Sequence, residues 1–398
     1  LACDDLRLDG AAIDTRGCPK AAAGFAPGAA AGPHRVEGRA ISLAEALDAA
    51  AAILRRSRAP LFTGLGTDLA GIRALLALAE RAGAVVDRWR SGAQFAALGT
   101  VQRAGAFTAT FGEIANRADL VLLLGRDPTR DYPRLLERLV ANAAPLYRAG
   151  APAVMHLGPG DARPEAMPLA LQAAVEAPAL LDAIAALAAL VGGLSLGAAA
   201  KRSLPLEAIG ALAERLKAAR YGAIIWDPAG FAEGQAEAAA MLLLRLLRAL
   251  NRKTRAVGLA LGGSDNAQGV AQAMLWQAGW PGRLSYGAGI PEHDPWRHDA
   301  ERLVEAGEVD ALLWVAAISR AAPPATELPL IALLAPGIEL ARPAAVEIRV
   351  GIPGLDHGGT VLRADTVIAI PLAATRPSEA PSVARVAAGI LERMAAAP

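Results

Sequence analysis

Apolar and polar positions along this chain fall into two alternating rhythms. An unbroken apolar run stands at 120–124, and short, mainly apolar runs recur at 60–63, 85–86, 153–157, 223–226 and 256–261, with two more beginning at Ala311 and Leu328 and a strand-like stretch at 346–350. Runs of this length, bounded by glycine and proline, read as strands buried on both faces. Between them apolar residues repeat at helical spacing. Leu43, Leu47, Ala50 and Leu54 follow the capping box of Ser42 and Glu45, and Asp68 caps a helix that runs to Ala82. Further helices are predicted from Pro133 to about Asn142, over 206–219, 236–250 and 267–278, and over the closing stretch 382–396. Such alternation builds an α/β protein of repeated, doubly wound, mostly parallel sheets with helices on both faces.

The central phrase is ADLVLLLGRDPTRDYP at 118–133: a strand, Gly125 at its carboxyl end, a polar turn with Pro128, then Pro133. VDALLWVAAISRAAPP at 309–324 repeats it, and YGAIIWDPAGF at 221–231 is a weaker version. Ligands of open α/β sheets sit beyond the carboxyl ends of such strands. The turns at 125–130, 227–231 and 317–320 are therefore the first places to look for function. The expected organisation is an irregular N-terminal segment (1–39, with a small hairpin from Leu6, Leu8 and Ile13), a first α/β domain (40–158), a proline-rich linker with one helix (159–205), a second α/β domain (206–342), and a C-terminal segment with a helix (343–398).

Composition narrows the function classes. The chain has 398 residues, enough for two or three domains. A net charge of +1 gives no global argument for nucleic acid or membrane. The stretch 183–200 is uncharged but made mainly of alanine and glycine, so a buried helix ending at Gly192-Gly193 is expected rather than a membrane span. Both cysteines, Cys3 and Cys18, lie in the first twenty residues, which suits a reducing cytoplasm and no disulfide framework.

Chemical motifs are sparse. Gly64-Leu65-Gly66 lacks the third glycine of a dinucleotide fingerprint, and there is no phosphate-loop ending, nucleophile elbow or histidine pair at metal spacing. No catalytic residue is assigned. Two thiolates do not complete a four-cysteine cluster. Arg88 and Arg90 follow one strand and Arg126 and Arg130 follow another, where planar guanidinium forks suit carboxylates and phosphates. These four arginines are the candidate anion-binding residues. A solvated mixture of surface charges is the competing reading.

Four phrases together resemble the B subunit of formylmethanofuran dehydrogenase: CDDL (3–6), TFGEIANRADLVLLLGRDPTRDYPR (110–134), GSDNAQGVAQAMLWQAGWP (263–281) and GIPGLDHGGTVLRAD (351–365). The resemblance implies a molybdopterin-oxidoreductase-like fold of repeated α/β domains around a molybdopterin or tungstopterin cofactor, with an N-terminal iron–sulfur cluster. This chain departs from that pattern. The family's metal-ligating cysteine lies shortly after the strand matching Val85–Val86, where this sequence reads RWRSGAQ (88–94), and no cysteine follows Cys18. Cys3 and Cys18 match the third and fourth cluster cysteines and are read as relic positions. The expectation is a retained fold with no cofactor bound by this chain, similar to B subunits of bacterial formyltransferase/hydrolase complexes. In those a formyl group passes from tetrahydromethanopterin to a methanofuran-like carrier and is hydrolysed to formate by other subunits. The partners implied are hydrolase, formyltransferase and further subunits of a cytoplasmic hetero-oligomer, with a glutamate-rich carrier as anionic ligand. The alternative is an active molybdenum or tungsten oxidoreductase in which Ser91 replaces the cysteine, an oxygen donor being suited to a hard metal.

Overall fold

Strand pairing divides the chain into two sheets that its linear order does not announce. The computed structural model describes residues 5–9, 12–25, 32–141, 144–162, 168–198, 203–318 and 321–396. Gly92–Gly262 forms one compact unit, and the chain before Gly92 and from Gly263 onward forms the other. The first is thus inserted, in sequence, into the second.

The flanking unit is built on a nine-stranded sheet. Its centre is five parallel strands in the order Val85–Val86, Pro60–Gly66, Ala311–Ala316, Leu330–Leu334 and Val346–Arg349. Antiparallel pairs extend both edges: Leu284–Ser285 with Glu292–His293, and His34–Val36 with Arg39–Ile41. Numbered in chain order the parallel core reads 2-1-3-4-5, so its topological switch point lies between Pro60–Gly66 and Ala311–Ala316. Alternate residues bury opposite faces. Leu313 and Val315 join a cluster with helices Leu43–Arg56, Leu69–Ala82, Ala267–Ala278 and Val383–Ala396. Leu312, Trp314 and Ala316 join a second cluster with helix Ala300–Glu305. The expected capping box is present: Glu45 N–H donates to Ser42 Oγ at 3.2 Å and Ser42 N–H to Glu45 Oε2 at 2.8 Å. Asp68 caps the next helix at Gly71 N–H, 2.9 Å, and Gly83 closes it in the left-handed region.

The inserted unit has five parallel strands in the order Arg255–Ala260, Tyr221–Trp226, Leu120–Leu124, Ala153–Gly158 and Leu171–Ala174. Its switch point lies between Leu120–Leu124 and Tyr221–Trp226, where the first strand in sequence meets one from the later half. Helices Leu180–Val191, Leu206–Ala218 and Ala236–Leu250 cover the sheet through Ile184, Leu187, Leu212 and Leu243.

Several expected boundaries differ from this arrangement. Residues 60–86 and 120–158, expected in one domain, lie in separate sheets. The expected linker 159–205 supplies strand Leu171–Ala174 and a helix to the inserted unit's core. Strands show themselves by local pattern, but the pairing of Leu61 with Leu312 is a long-range choice with no local signature. Helix Gly92–Ala104 is not among the helices expected from the sequence. Only Ala97 and Thr100 are buried along it, so no apolar stripe marks it in the sequence. No helix among the described residues is long and apolar enough to cross a membrane.

Candidate functional site

At the inserted unit's switch point two strands end in the same device. Asp127 follows Leu120–Leu124 and caps the turn Pro128–Arg130, its Oδ1 accepting from Thr129 N–H at 2.8 Å. Asp227 follows Tyr221–Trp226 and caps Pro228–Gly230, its Oδ1 accepting from Ala229 N–H at 2.9 Å. Proline at the first position presets each turn, and the carboxylate satisfies an otherwise free donor. Arg126 ties the two turns together. Its Nη2 lies 2.6 Å from Asp227 Oδ2 and 2.8 Å from Asp131 Oδ2. Tyr132 is buried nearby, and burial, with Asp227 and Asp131 adding to it, pushes its hydroxyl up to about 12. Arg130 is exposed and, among the described residues, has no ion-pair partner.

The adjacent strand is pressed close. His156 is buried and donates from Nε2 to the carbonyl of Gly125 at 2.8 Å; burial lowers its pKa despite that bond. Gly158 has no room for a side chain, since a Cβ there would stand 2.3 Å from the same carbonyl oxygen. Gly158→Ala is expected to destabilise the protein by about 1–3 kcal/mol, the usual cost of overpacking a rigid site. Urea unfolding would show this, and an unchanged midpoint would mean that the strands separate freely.

In the flanking unit the turn after Val85–Val86 is closed by buried charge. Asp87 and Ser91 are each 1% exposed. Ser91 Oγ donates to the Asp87 carboxylate, at 3.0 and 3.1 Å from its two oxygens, and lies 3.3 and 3.4 Å from Nη2 and Nε of Arg283. Arg283 pairs with Asp299 and approaches Asp87 Oδ2 at 3.7 Å, while Ala300 N–H donates to the same oxygen at 3.1 Å. Desolvation raises the Asp87 carboxyl to about 7 against the pull of Arg283. A metal at this turn would need an oxygen with a free lone pair facing open space. Ser91 offers none, so the residues present do not fit a molybdenum or tungsten ligand set.

The four candidate arginines do not gather at one sheet. Arg88 and Arg90 belong to the nine-stranded sheet, Arg126 and Arg130 to the five-stranded one. Arg126 is occupied by two carboxylates and acts as a cross-link. Arg88 is half-buried; desolvation lowers its pKa, with Asp87 opposing and Arg283 adding to the effect. Arg90 is exposed, with positive φ. Cys18 is buried and its Sγ accepts from Ala21 N–H at 3.4 Å; Cys3 lies outside the described residues, as does Arg320 of the third turn. No group of three or more metal-ligating side chains occurs among the described residues.

Sequence reading alone misses Arg283, Asp299 and the role of Asp227. The Asp-Pro pair after two strands is a usable signal for Asp227. Arg283 has none, because it reaches its partners only through folding of the 280–296 stretch, which holds a hairpin. Asn266, in the left-handed region, is another such tie: Nδ2 donates to Thr67 O and Oδ1 accepts from Leu362 N–H, both at 2.9 Å.

Three comparisons bear on identity. No family profile matches the chain. The B subunit of the formyltransferase/hydrolase complex of Methylorubrum extorquens is 33% identical over 362 residues, covering 90% of this chain and 96% of that protein. The B subunit of a tungsten-containing formylmethanofuran dehydrogenase of Methanocaldococcus jannaschii is 26% identical over 298 residues, 73% of this chain and 68% of that one. A crystal structure of the Methylorubrum extorquens formyltransferase/hydrolase complex with methylofuran contains a chain of TM-score 0.78 and 32% identity, covering 91% of this chain and 98% of that one. Near full-length likeness in sequence and fold shows that this chain belongs to the family of formyltransferase/hydrolase complex B subunits, related in turn to the B subunits of formylmethanofuran dehydrogenases.

Proposed function

We propose that this chain is a non-catalytic architectural subunit of a cytoplasmic formyltransferase/hydrolase complex, in which formyl-tetrahydromethanopterin is converted to formate through a methanofuran-like carrier. The observation that carries this reading is the match to 96% of the Methylorubrum protein. The closed turn at Ser91 supports it. A hydroxyl held by Asp87 and Arg283 belongs to the packing of the protein, so the pterin metal of the wider family is read as lost. Hydrolase and formyltransferase subunits are the partners.

Arg88, Arg90 and Arg130 serve the carrier in this proposal. A half-buried guanidinium such as Arg88 gains from an anion because little water screens it. Exposed arginines such as Arg90, in the same unit as Arg88, and Arg130, in the inserted unit, add only about 0–1 kcal/mol each, and less in salt.

The test is to purify the assembly through a tag on this chain and measure which subunits accompany it, together with molybdenum, tungsten and iron. Hydrolase and transferase subunits without stoichiometric metal on this chain are expected. Stoichiometric tungsten or an extractable pterin would instead establish the oxidoreductase reading. In the same assembly, Arg88→Ala with Arg130→Ala should slow formyl transfer more at low salt than at high salt; equal rates throughout would leave both as solvated surface.

A further inference from the structure

Aromatic residues make up only 4% of this chain, yet three of its six tryptophans stand in solvent within one stretch of the flanking unit. Trp276 is 63% exposed, Trp280 41% and Trp296 69%, and Leu275 and Ile290 are exposed beside them in sequence. Nothing in the fold's core requires them there. Each of these tryptophans is a large apolar side chain of the kind that anchors protein interfaces.

The stretch is held firmly. Trp276 lies on helix Ala267–Ala278, which Gly279 ends in the left-handed region. Trp280 stacks on His293, ring centroids 4.6 Å apart and nearly parallel, and His293 Nδ1 donates to the carbonyl of Gly282 at 2.9 Å. The Arg302 guanidinium lies 4.5 Å over the Trp296 ring. Large aromatics fixed in this way lose little entropy when covered, which is the property of interface hot spots.

Trp276 also borders a groove of about 510 Å³ lined by Asp68, Arg73, Ala273, Gly359 and Thr360. Asp68 is already used as a helix cap. Arg73 is exposed and, among the described residues, has no ion-pair partner. The groove therefore presents an apolar wall with one exposed cation, Arg73, while the Asp68 carboxylate in the same lining is buried.

The geometry points to this face, centred on Trp276 and Arg73, as the docking surface for another protein subunit of the complex, which inserts an apolar side chain along Trp276 with a carboxylate beside it at Arg73. This rests on the proposed function and adds the place and chemistry of one subunit contact. Charge complementarity selects an acidic-flanked apolar segment, and the indole wall gives it its area.

The experiment uses the full chain co-expressed with the other subunits, comparing wild type, Trp276→Ala and Arg73→Glu. Both positions are exposed, so thermal melting of each purified variant should match wild type. Recovery of at least one other subunit on the tagged chain should fall tenfold or more for each variant, and the Arg73→Glu loss should shrink at high salt. If wild type recovers no other subunit, the architectural reading itself fails. If wild type and both variants recover all subunits equally, that reading stands and this surface is not the contact. Sedimentation of the chain alone should show a monomer; a homodimer abolished by Trp276→Ala would assign the face to a second copy and overturn the proposal.

Discussion

Arg283→Met is expected to lower the unfolding free energy by about 3–5 kcal/mol, the range for removing one partner of a buried charge network. The guanidinium is 6% exposed and contacts Ser91, Asp87, Asp299 and the carbonyl of Pro295. Methionine keeps much of the volume but leaves Asp87 and Asp299 without their cation. Asp87 then escapes by holding its proton more tightly, since the attraction of Arg283 was lowering its pKa. The loss should therefore be larger at pH 8 than at pH 6. Adding Asp87→Asn to Arg283→Met should recover part of it, because the two residues act in one network. Urea denaturation of the four proteins of this cycle measures both effects. Strict additivity at both pH values would show that the network is not coupled.

Asp87→Asn alone is expected to change how stability depends on pH. The Asp87 carboxyl titrates at about 7 in the folded chain and near 3.8 in the unfolded one. Between those values the folded state holds a proton that the unfolded state has released. The contribution of Asp87 is thus fully present below about pH 4 and is lost as pH rises to about 7, with a slope of up to about 1.4 kcal/mol per pH unit. Carboxylates such as Asp356, which desolvation raises but hydrogen bonds from Arg376 and Ile352 hold below the usual range overall, add slopes of the opposite sign. The informative quantity is therefore the difference between variant and wild type. Relative to wild type, Asp87→Asn should gain stability from pH 4 to 7 and level off above. Parallel curves would place the carboxyl in contact with water.

Local chemistry is legible in the sequence wherever it acts over a few residues. Ser42 with Glu45, Asp68 before its helix, Gly192-Gly193 after another and the run Leu120–Leu124 all do what their spacing predicts. The phrases that carry the family resemblance are also structural ties. Asn266 joins two segments, and Arg363 and Asp365 form a buried pair at 2.7 Å. What cannot be read is which distant strand a given strand adopts, because a parallel strand buried on both faces carries no mark of its neighbour. For that reason the linear order sets Arg88 beside Arg126, although they belong to different sheets. The carboxylates that occupy Arg126 likewise become visible only when the turns at Asp127 and Asp227 come side by side.

The interruption of the flanking unit at Gly92 also sets a timetable. Strand Pro60–Gly66 must wait for Ala311–Ala316 before the nine-stranded sheet can close. At ribosomal speeds that interval is roughly 10–50 s. The inserted five-stranded unit is complete in the chain well before then, and its folding draws the two halves of the other sheet closer by shortening the loop between them. Until synthesis passes Ala316, one edge of a strand meant for the centre of a sheet has no partner. The nascent chain is therefore most exposed to misassembly while its second half is still being made, and a chaperone acting on that first segment would have the most to protect.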